Sequence, residues 1–443
     1  MPELQPVRGT QDLLPETMRR HRRVSDAARE LAALYGFAEI ATPIFEFTEV
    51  FARPIGEHTD IVAKEMYTFR DRGGEEITLR PENTAGVVRA VLSNGLTQQT
   101  PLKFFYAGPM FRYERPQKGR FRQFHQIGVE LLGVAQPQAD IEVIALGHRI
   151  LKALGLDERV MRELNLRVID SDPFIEAAVP RVALELNTLG DPASRLAYRD
   201  ALVRYFSSRE AQLSEDSRRR LHVNPLRILD SKDPGDQHLV TEAPDFANYL
   251  NVASRNFFAQ VRDGLDRLGI TYRLNPRLVR GLDYYTHTVF EFVTTDLGAQ
   301  GTVLAGGRYD GLVEVMGGPS MPGVGWAAGI ERLAMLIDEP PRAPRLIALV
   351  PIGQAAEARA IMIAERLRDA GLVIDLGYSG NLSRRLRRAN RIGAYAAVLL
   401  GDDELERGIA TVRDLGNGQQ SEVQLTDLAE QLKALAAHQI IPV

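Results

Sequence analysis

Apolar positions in residues 15–35 recur every three or four places: Val24, Ala27, Ala28, Leu31 and Leu34, with arginines between them and Gly36 just past the end. That spacing predicts an amphipathic helix closed by a glycine. A short extended run, FAEIATPIFE, follows at 37–46, and Pro43 marks its edge or end because proline cannot donate to a ladder. Residues 65–80, EMYTFRDRGGEEITLR, predict a hairpin turning at Arg72, Gly73 and Gly74. Helical periodicity returns at 84–93 and 138–153. Strand patterns at 102–114 and 121–132 flank a charged stretch.

From about 170 to 245 the texture becomes Arg- and Asp-rich and helical, with turns such as DPASR and DPGDQ, and strand-and-glycine chemistry resumes near 278. Residues 171–245 are therefore expected to form a helical insertion within a domain made of 1–170 and 246–338. A Pro-rich link, DEPPRAPR, ends at 345, so 339–345 is expected to be a linker. Beyond it LIALVPI, EARAIMIAERLRDAG, LVIDLGY, LSRRLRRANRIG and YAAVLLGD alternate strand with helix. That rhythm predicts a compact α/β domain over 346–443 with a largely parallel sheet.

Composition narrows the class only modestly. The 443 residues carry a formal net charge of −4, with 25% charged and 44% hydrophobic residues. This is ordinary for a globular protein and argues against non-specific coating of nucleic acid such as DNA. No apolar run has the length of a signal peptide core or a bilayer span, so a cytoplasmic protein with no membrane contact is expected. There is no cysteine, which excludes disulfides and thiolate metal sites, and the eight histidines lack HExxH-like spacing, so no resident metal is expected.

Against that background FRYERPQKGRFRQFHQ, residues 111–126, is conspicuous: Arg112, Arg115, Lys118, Arg120 and Arg122 crowd around Phe121 and Phe124. Strand side chains alternate, so Arg122, Phe124, Gln126, Gly128 and Glu130 point one way, while Gln123, His125, Ile127 and Val129 point the other. On the first strand Arg112 and Glu114 share parity with Tyr106, Gly108 and Met110. A pair of such strands presents arginine for a phosphate, phenylalanine for a base, Glu114 for an exocyclic amine and Gln126 for a mixed donor–acceptor. Glu130 lies about 13 Å beyond Gln126, far enough to read a second group, and the side-chain-free gap at Gly128 suggests room for a ligand. The tip, RPQKGR, meets solvent or a polyanion.

No GxxxxGK[ST] occurs, which rules out a P-loop. GVGWAAG at 323–329 misses the GxGxxG pattern and reads as a packing or close-approach turn. Residues 306–310, Gly306, Gly307, Arg308, Tyr309 and Asp310, read as a turn where backbone approaches a ligand closely, with Arg308 either there or paired with Asp310. A nucleotide would thus be held on an antiparallel sheet by arginines and stacking.

These residues resemble the histidyl-tRNA synthetases, class II aminoacyl-tRNA synthetases, along nearly the whole chain. FRYERPQKGRFRQFHQIGVE is similar to the second class II motif and GVGWAAGIERL to the third, while residues 15–43 match the first, ending at Pro43. LVRGLDYYTHTVFEF (278–292) and AGGRYDGLV (305–313) resemble the histidine-specific signatures, and RGTQDLLP and TLRPENTAG match as well. Asn83 stands where glycine is frequent in the family, and His287 occupies a variable slot.

The resemblance implies an α/β protein. Its antiparallel catalytic sheet of about six or seven strands carries the helical insertion, and an α/β anticodon-binding domain follows. It implies ligation of L-histidine to the 3′ end of its tRNA through a histidyl-adenylate, with ATP as substrate, Mg²⁺ bridging phosphate oxygens, and a homodimer. Arg112 and Arg280 are implied as catalytic residues at the α-phosphate and carboxylate. Glu114, Phe124 and Arg332 complete the ATP subsite. Glu82, Asn83, Thr84 and Gln126 belong to the histidine subsite, with Glu130, Tyr284 and Tyr285 around the ring. Strand alternation sends Tyr284 to the face opposite Tyr285, which leaves core packing as its other reading. Arg115, Gln117, Lys118, Arg120 and Arg122 are implied to meet the tRNA acceptor end. Arg384, Arg387, Arg388 and Arg391 form a basic helical side that meets either RNA or solvent. The rival reading is the synthetase-like regulatory subunit of ATP phosphoribosyltransferase, which shares the catalytic fold but typically lacks the C-terminal domain.

Overall fold

The computed structural model describes residues 3–438 except 57–58, 60, 158, 166–173, 230, 232, 280–283, 299–300 and 339–342, with backbone alone for 159–165, 174–179 and 437–438. Two compact units divide near residue 341. Of the expected linker, 339–342 lies outside the described residues.

The first unit is built on an eight-stranded sheet. From edge to edge its strands are Ala38–Glu39, Leu102–Phe111, Gln123–Leu132, Gly323–Gly329, Thr302–Arg308, Thr286–Val293, Ala183–Thr188 and Tyr272–Leu274. The inner pairings are antiparallel. The two outermost strands pair in parallel, and they take the sheet past the six or seven strands expected. Period-two alternation on the 123–132 strand sends Ile127, Val129 and Leu131 into the main core. There they meet Val24, Ala27 and Ala28 of the helix Pro15–Leu34 and Val143, Ile144 and Ile150 of Pro137–Ala153. Trp326 is pinned in this layer by its indole N–H, which donates to the Val143 carbonyl at 2.9 Å. Gln126 and Glu130 consequently face the other side of the sheet, as their parity predicts.

Several expectations change. The segment 171–245 is not helical throughout. Phe174–Pro180 and Ala183–Thr188 are strands, and alternate residues of ALELNT are buried as the strand joins the main sheet. Helices begin only at Pro192–Ser207, capped by Asp191, whose side chain accepts from the Ser194 amide at 2.8 Å. The helical part closes on its own core of Tyr198, Leu202, Phe206, Leu221 and Phe246. Gly323–Gly329 and Gly306–Gly307 are central strands rather than turns. A Cβ on Gly306 would meet the Gly325 carbonyl oxygen at 2.1 Å, so glycine here answers crowding between strands, not a chain reversal.

A smaller sheet, Phe45–Phe47, Glu76–Leu79 and Tyr67–Arg70, follows the first helix. Its register sets Leu79 between Phe45 and Tyr67, and Ile77 between Phe47 and Phe69. The second unit has five strands ordered Ile374–Leu376, Leu346–Ile352, Ala394–Gly401, Ile409–Asp414 and Gln420–Gln424. The first three run parallel. The last two pair antiparallel, so the parallel character covers only one half. No helix among the described residues is long and apolar enough to cross a membrane.

Candidate active site

The cleft on the polar face of the sheet is small, about 260 Å³. Arg112, Glu114, Phe124, Gln126, Tyr285 and Arg332 all line it, together with Glu82, Thr84 and Tyr284. A larger hollow of about 700 Å³ lies at the far end of the sheet among Leu184, Tyr272 and Phe292. Its charged groups are spent on one another: Arg273 pairs with Glu185 at 3.0 Å and Arg181 with Asp296 at 3.0 Å. The convergent polar groups are in the smaller cleft.

One wall is the loop before the helix Thr84–Ser93. Arg80 is buried there and donates to the carbonyls of Pro109 at 2.8 Å and Thr42 at 3.0 Å, and to the Asn83 side-chain oxygen at 3.2 Å. Asn83 also accepts from the Thr42 hydroxyl at 2.7 Å. Its amide is thus committed behind the wall and does not line the cleft, unlike its neighbours Glu82 and Thr84. The Glu82 carboxylate accepts from the amides of Thr84 at 2.6 Å and Ala85 at 2.9 Å, closing the start of the helix. Burial pushes its carboxyl pKa up, and those amides pull it back.

The opposite wall is the charged hairpin. Arg112 donates to the Pro81 carbonyl at 2.9 Å and stands 5.3 Å from the Phe124 ring centroid, with its other nitrogens toward Glu114 at 3.8 Å. Glu114 in turn meets Arg120 at 3.1 Å. Arg332, on the helix Ile330–Leu336, donates to the carbonyls of Gly119 at 3.2 Å and Thr302 at 2.7 Å, which ties it to the hairpin tip. Two guanidiniums and a stacking ring lining one cleft can hold a polyphosphate and a base.

At the floor the structure departs from parity reasoning in two ways. The Gly128 gap holds no ligand space: Tyr106 sits directly opposite, and a Cβ on Gly128 would be 2.3 Å from its phenol oxygen. Glu130 is wholly buried beneath the lining rather than in it. Its carboxyl accepts from the hydroxyls of Thr84 at 2.7 Å, Tyr106 at 3.3 Å and Tyr309. Burial pushes its pKa up to about 8, against those hydroxyls, which lower it. Tyr309, given no site role by the sequence reading, lines the cleft and bridges it to Glu130; a GGRYDG run taken for a turn conceals it.

Tyr284 and Tyr285 both line the cleft, their ring centroids 4.7 Å apart. Alternation does not separate them because the strand begins only at Thr286. Arg280 lies outside the described residues. Arg308 is fully buried and bonded to Asp140 and, at 3.0 Å, to Asp310, with the Val134 carbonyl accepting at 2.9 Å. It is a framework residue, as its pairing with Asp310 suggested.

At the hairpin tip Arg115, Gln117 and Lys118 are exposed, and a Gln117–Arg120 bridge closes the turn. Arg122 differs. Its guanidinium lies 3.9 Å over the Tyr113 ring and its amide donates to the Gly9 carbonyl at 2.7 Å, so it fastens the N-terminal RGTQDLLP stretch to the hairpin. On the helix Leu382–Arg391, Arg384, Arg387 and Arg391 are exposed, whereas Arg388 pairs with Asp375 at 2.7 Å.

Residues 9–333 match the histidyl-tRNA synthetase family and residues 347–435 the anticodon binding domain family. The histidine–tRNA ligase of Rhodospirillum rubrum is 56% identical over 431 residues, covering 97% of this chain and 99% of the relative. That of Gluconacetobacter diazotrophicus is 56% identical over 436 residues, covering 98% and 100%. Among solved structures, apo S. aureus histidyl-tRNA synthetase superposes with a TM-score of 0.78 at 35% identity, over 97% of this chain and 100% of that one. An ATP phosphoribosyltransferase regulatory subunit/histidyl-tRNA synthetase from Bacillus halodurans shares the fold, with a TM-score of 0.65 at 20% identity, over 90% of this chain and 99% of that one. With its arginine-bearing hairpin, its buried tyrosine cluster and these matches along both units, the chain belongs to the histidyl-tRNA synthetase family.

Proposed function

We propose that this chain ligates L-histidine to the 3′ end of its tRNA in the cytoplasm, through a histidyl-adenylate formed from ATP. The observation that carries the reading is the convergence of Arg112, Phe124 and Arg332 with Glu82, Thr84, Gln126 and Tyr285 around one cleft. Phe124 stacks on adenine and Glu114 accepts from its amine. Arg112 holds the α-phosphate against the attacking carboxylate, Arg332 takes the γ-phosphate, and Glu82, Thr84 and Gln126 hold the ammonium. Gln126 suits that work, since its side-chain oxygen is buried without a hydrogen-bond partner. Tyr285 and Tyr309, backed by Glu130, read the ring. Arg280 keeps its place at the α-phosphate on the sequence resemblance alone. No protein nucleophile is needed, so catalysis rests on positioning and on charges set where charge develops.

Magnesium fits this donor set. The Glu114 carboxylate, paired with Arg120 at 3.1 Å, is a hard oxygen donor lining the cleft, of the kind the ion takes, and would hold it together with nucleotide and water. When bound, it neutralises phosphate charge. Exposed Arg115, Gln117 and Lys118 face the acceptor end, and Arg384, Arg387 and Arg391 of the second unit face the anticodon arm. A homodimer is supported by the small sheet, whose Phe45, Phe47 and Phe69 are 52%, 55% and 48% exposed on one face, an apolar patch suited to a second copy.

ATP–pyrophosphate exchange with each amino acid tests the reading. Histidine alone should drive exchange, and the histidyl group should then pass to tRNA. A stronger signal with another amino acid refutes the specificity. No exchange at all would favour the regulatory-subunit reading, which the matched anticodon-binding unit opposes.

A further inference from the structure

Behind the strand that carries Phe124 and Gln126, three donors from three separate elements come together. His21 is on the helix Pro15–Leu34, His125 is on the strand Gln123–Leu132 and Glu331 is on the helix Ile330–Leu336. One ligand-type atom from each lies within 4.8 Å of the other two. His125 Nδ1 is 2.8 Å from a Glu331 oxygen, and the His125 amide donates to both carboxylate oxygens at 3.0 Å. His21 meets the His125 ring edge to face, with centroids 5.6 Å apart.

His21 is only 4% exposed, so its imidazole is held in the interior beside the His125–Glu331 pair.

We propose that His21, His125 and Glu331 form a three-ligand site for a divalent transition-metal ion of the zinc type. Two imidazoles and a carboxylate are a donor set that zinc accepts, with water in the fourth position. Bonds of about 2.1 Å in a tetrahedron set donors about 3.4 Å apart, within the span that these three atoms already occupy. The ion would cross-brace the first helix, the adenine-stacking strand and the helix of Arg332. Imidazole ligands select it over magnesium, so it is distinct from any ion carried by ATP. No HExxH-like spacing announces it, because the ligands lie more than a hundred residues apart, from His21 to His125 and from His125 to Glu331.

The test uses the full chain, stripped with chelator and titrated with Co²⁺ and then Zn²⁺ in the absence of nucleotide. One equivalent of Co²⁺ should give the visible bands of a tetrahedral nitrogen–oxygen site, and Zn²⁺ should displace it and raise the melting temperature. His21→Gln, which keeps the volume and removes the imidazole, should weaken binding more than about tenfold and abolish the melting shift. Trp326 fluorescence confirms that the variant is folded. Absence of one-to-one binding overturns the proposal. So does binding that survives His21→Gln, which would place the ion on exposed histidines such as His222 or His238.

Discussion

Replacing Glu130 with glutamine separates the charge of this buried carboxyl from its shape. In the unliganded protein its pKa rises from 4.5 to about 8, and desolvation is the largest cause. The folded state therefore holds a proton that the unfolded chain releases between those values. A raised carboxyl supplies stability that is complete below the unfolded pKa and is lost as pH climbs through the folded one. The full swing of about three and a half pKa units, at 1.36 kcal/mol each, is on the order of 5 kcal/mol. Between about pH 6 and about pH 9 roughly half of it, about 2–3 kcal/mol, remains to be lost. Glu130→Gln cannot lose it.

The variant, whose amide has nearly the shape of the neutral acid, should hold its stability over this range while the wild type declines. Its stability relative to the wild type should rise by about 2–3 kcal/mol between about pH 6 and about pH 9. Asp140, another buried carboxyl with a raised pKa, is common to both proteins and cancels in the difference, whereas Glu82 repels Glu130 and its effect is part of the swing. Denaturant titrations across that range, followed by fluorescence of the single tryptophan, give the comparison. Trp326 sits beside Gly325, whose strand partner is Glu130, so the signal reports the catalytic unit alone. Two stability curves that stay parallel over the whole range would refute the reasoning, since the carboxyl would then titrate alike in both states.

Gly325→Ala should cost about 1–3 kcal/mol of stability and depress histidine activation, because its Cβ would lie 2.0 Å from a Glu130 oxygen and 2.4 Å from the Val129 carbonyl; normal unfolding would exclude the clash. Arg308→Met strands Asp140 in a dry interior and should lose about 3–5 kcal/mol, much of it recovered by adding Asp140→Leu, as a double-mutant unfolding cycle measures. Joint replacement of exposed Arg115 and Lys118 by alanine should leave ATP–pyrophosphate exchange within about twofold. It should also raise the tRNA KM and flatten its dependence on salt, because only contacts with nucleic-acid phosphate are removed.

Strand parity was legible because its period of two survives any tertiary context: Ile127 and Val129 went to the core and Gln126 to the cleft, as alternation demands. What parity could not supply was the cross-strand neighbour. Gly128 looks like vacant space until Tyr106 is known to stand opposite. Tyr284 looks like core until the strand is known to start two residues later. The glycines of 306–307 and 323–329 suggested turns because a sequence shows missing side chains, not what presses on them. Asn83 stands where the family often has glycine, and its neighbours in sequence point it to the histidine subsite, yet its side-chain oxygen accepts from Thr42, a partner 41 residues away that no local pattern names.

Those glycines also explain how the floor of the cleft works. On Gly307 a Cβ would lie 2.8 Å from the Tyr285 ring, and on Gly325 it would strike Glu130. Bare strand centres let Tyr106, Tyr285 and Tyr309 gather against one carboxyl where ordinary side chains would hold them apart. Glu130 already accepts three hydroxyls, so it has no need of a substrate to be satisfied. A ring that binds must redirect hydroxyls that are already engaged. An imidazole can do so, offering one donor and one acceptor in return. A ring without them leaves buried hydroxyls or the carboxyl unpaired, a penalty far above that of a missing methylene. On the proposed reading discrimination belongs to the whole hydroxyl cluster, and Tyr309→Phe should relax it even though Glu130 stays in place, as amino-acid-dependent ATP–pyrophosphate exchange would measure.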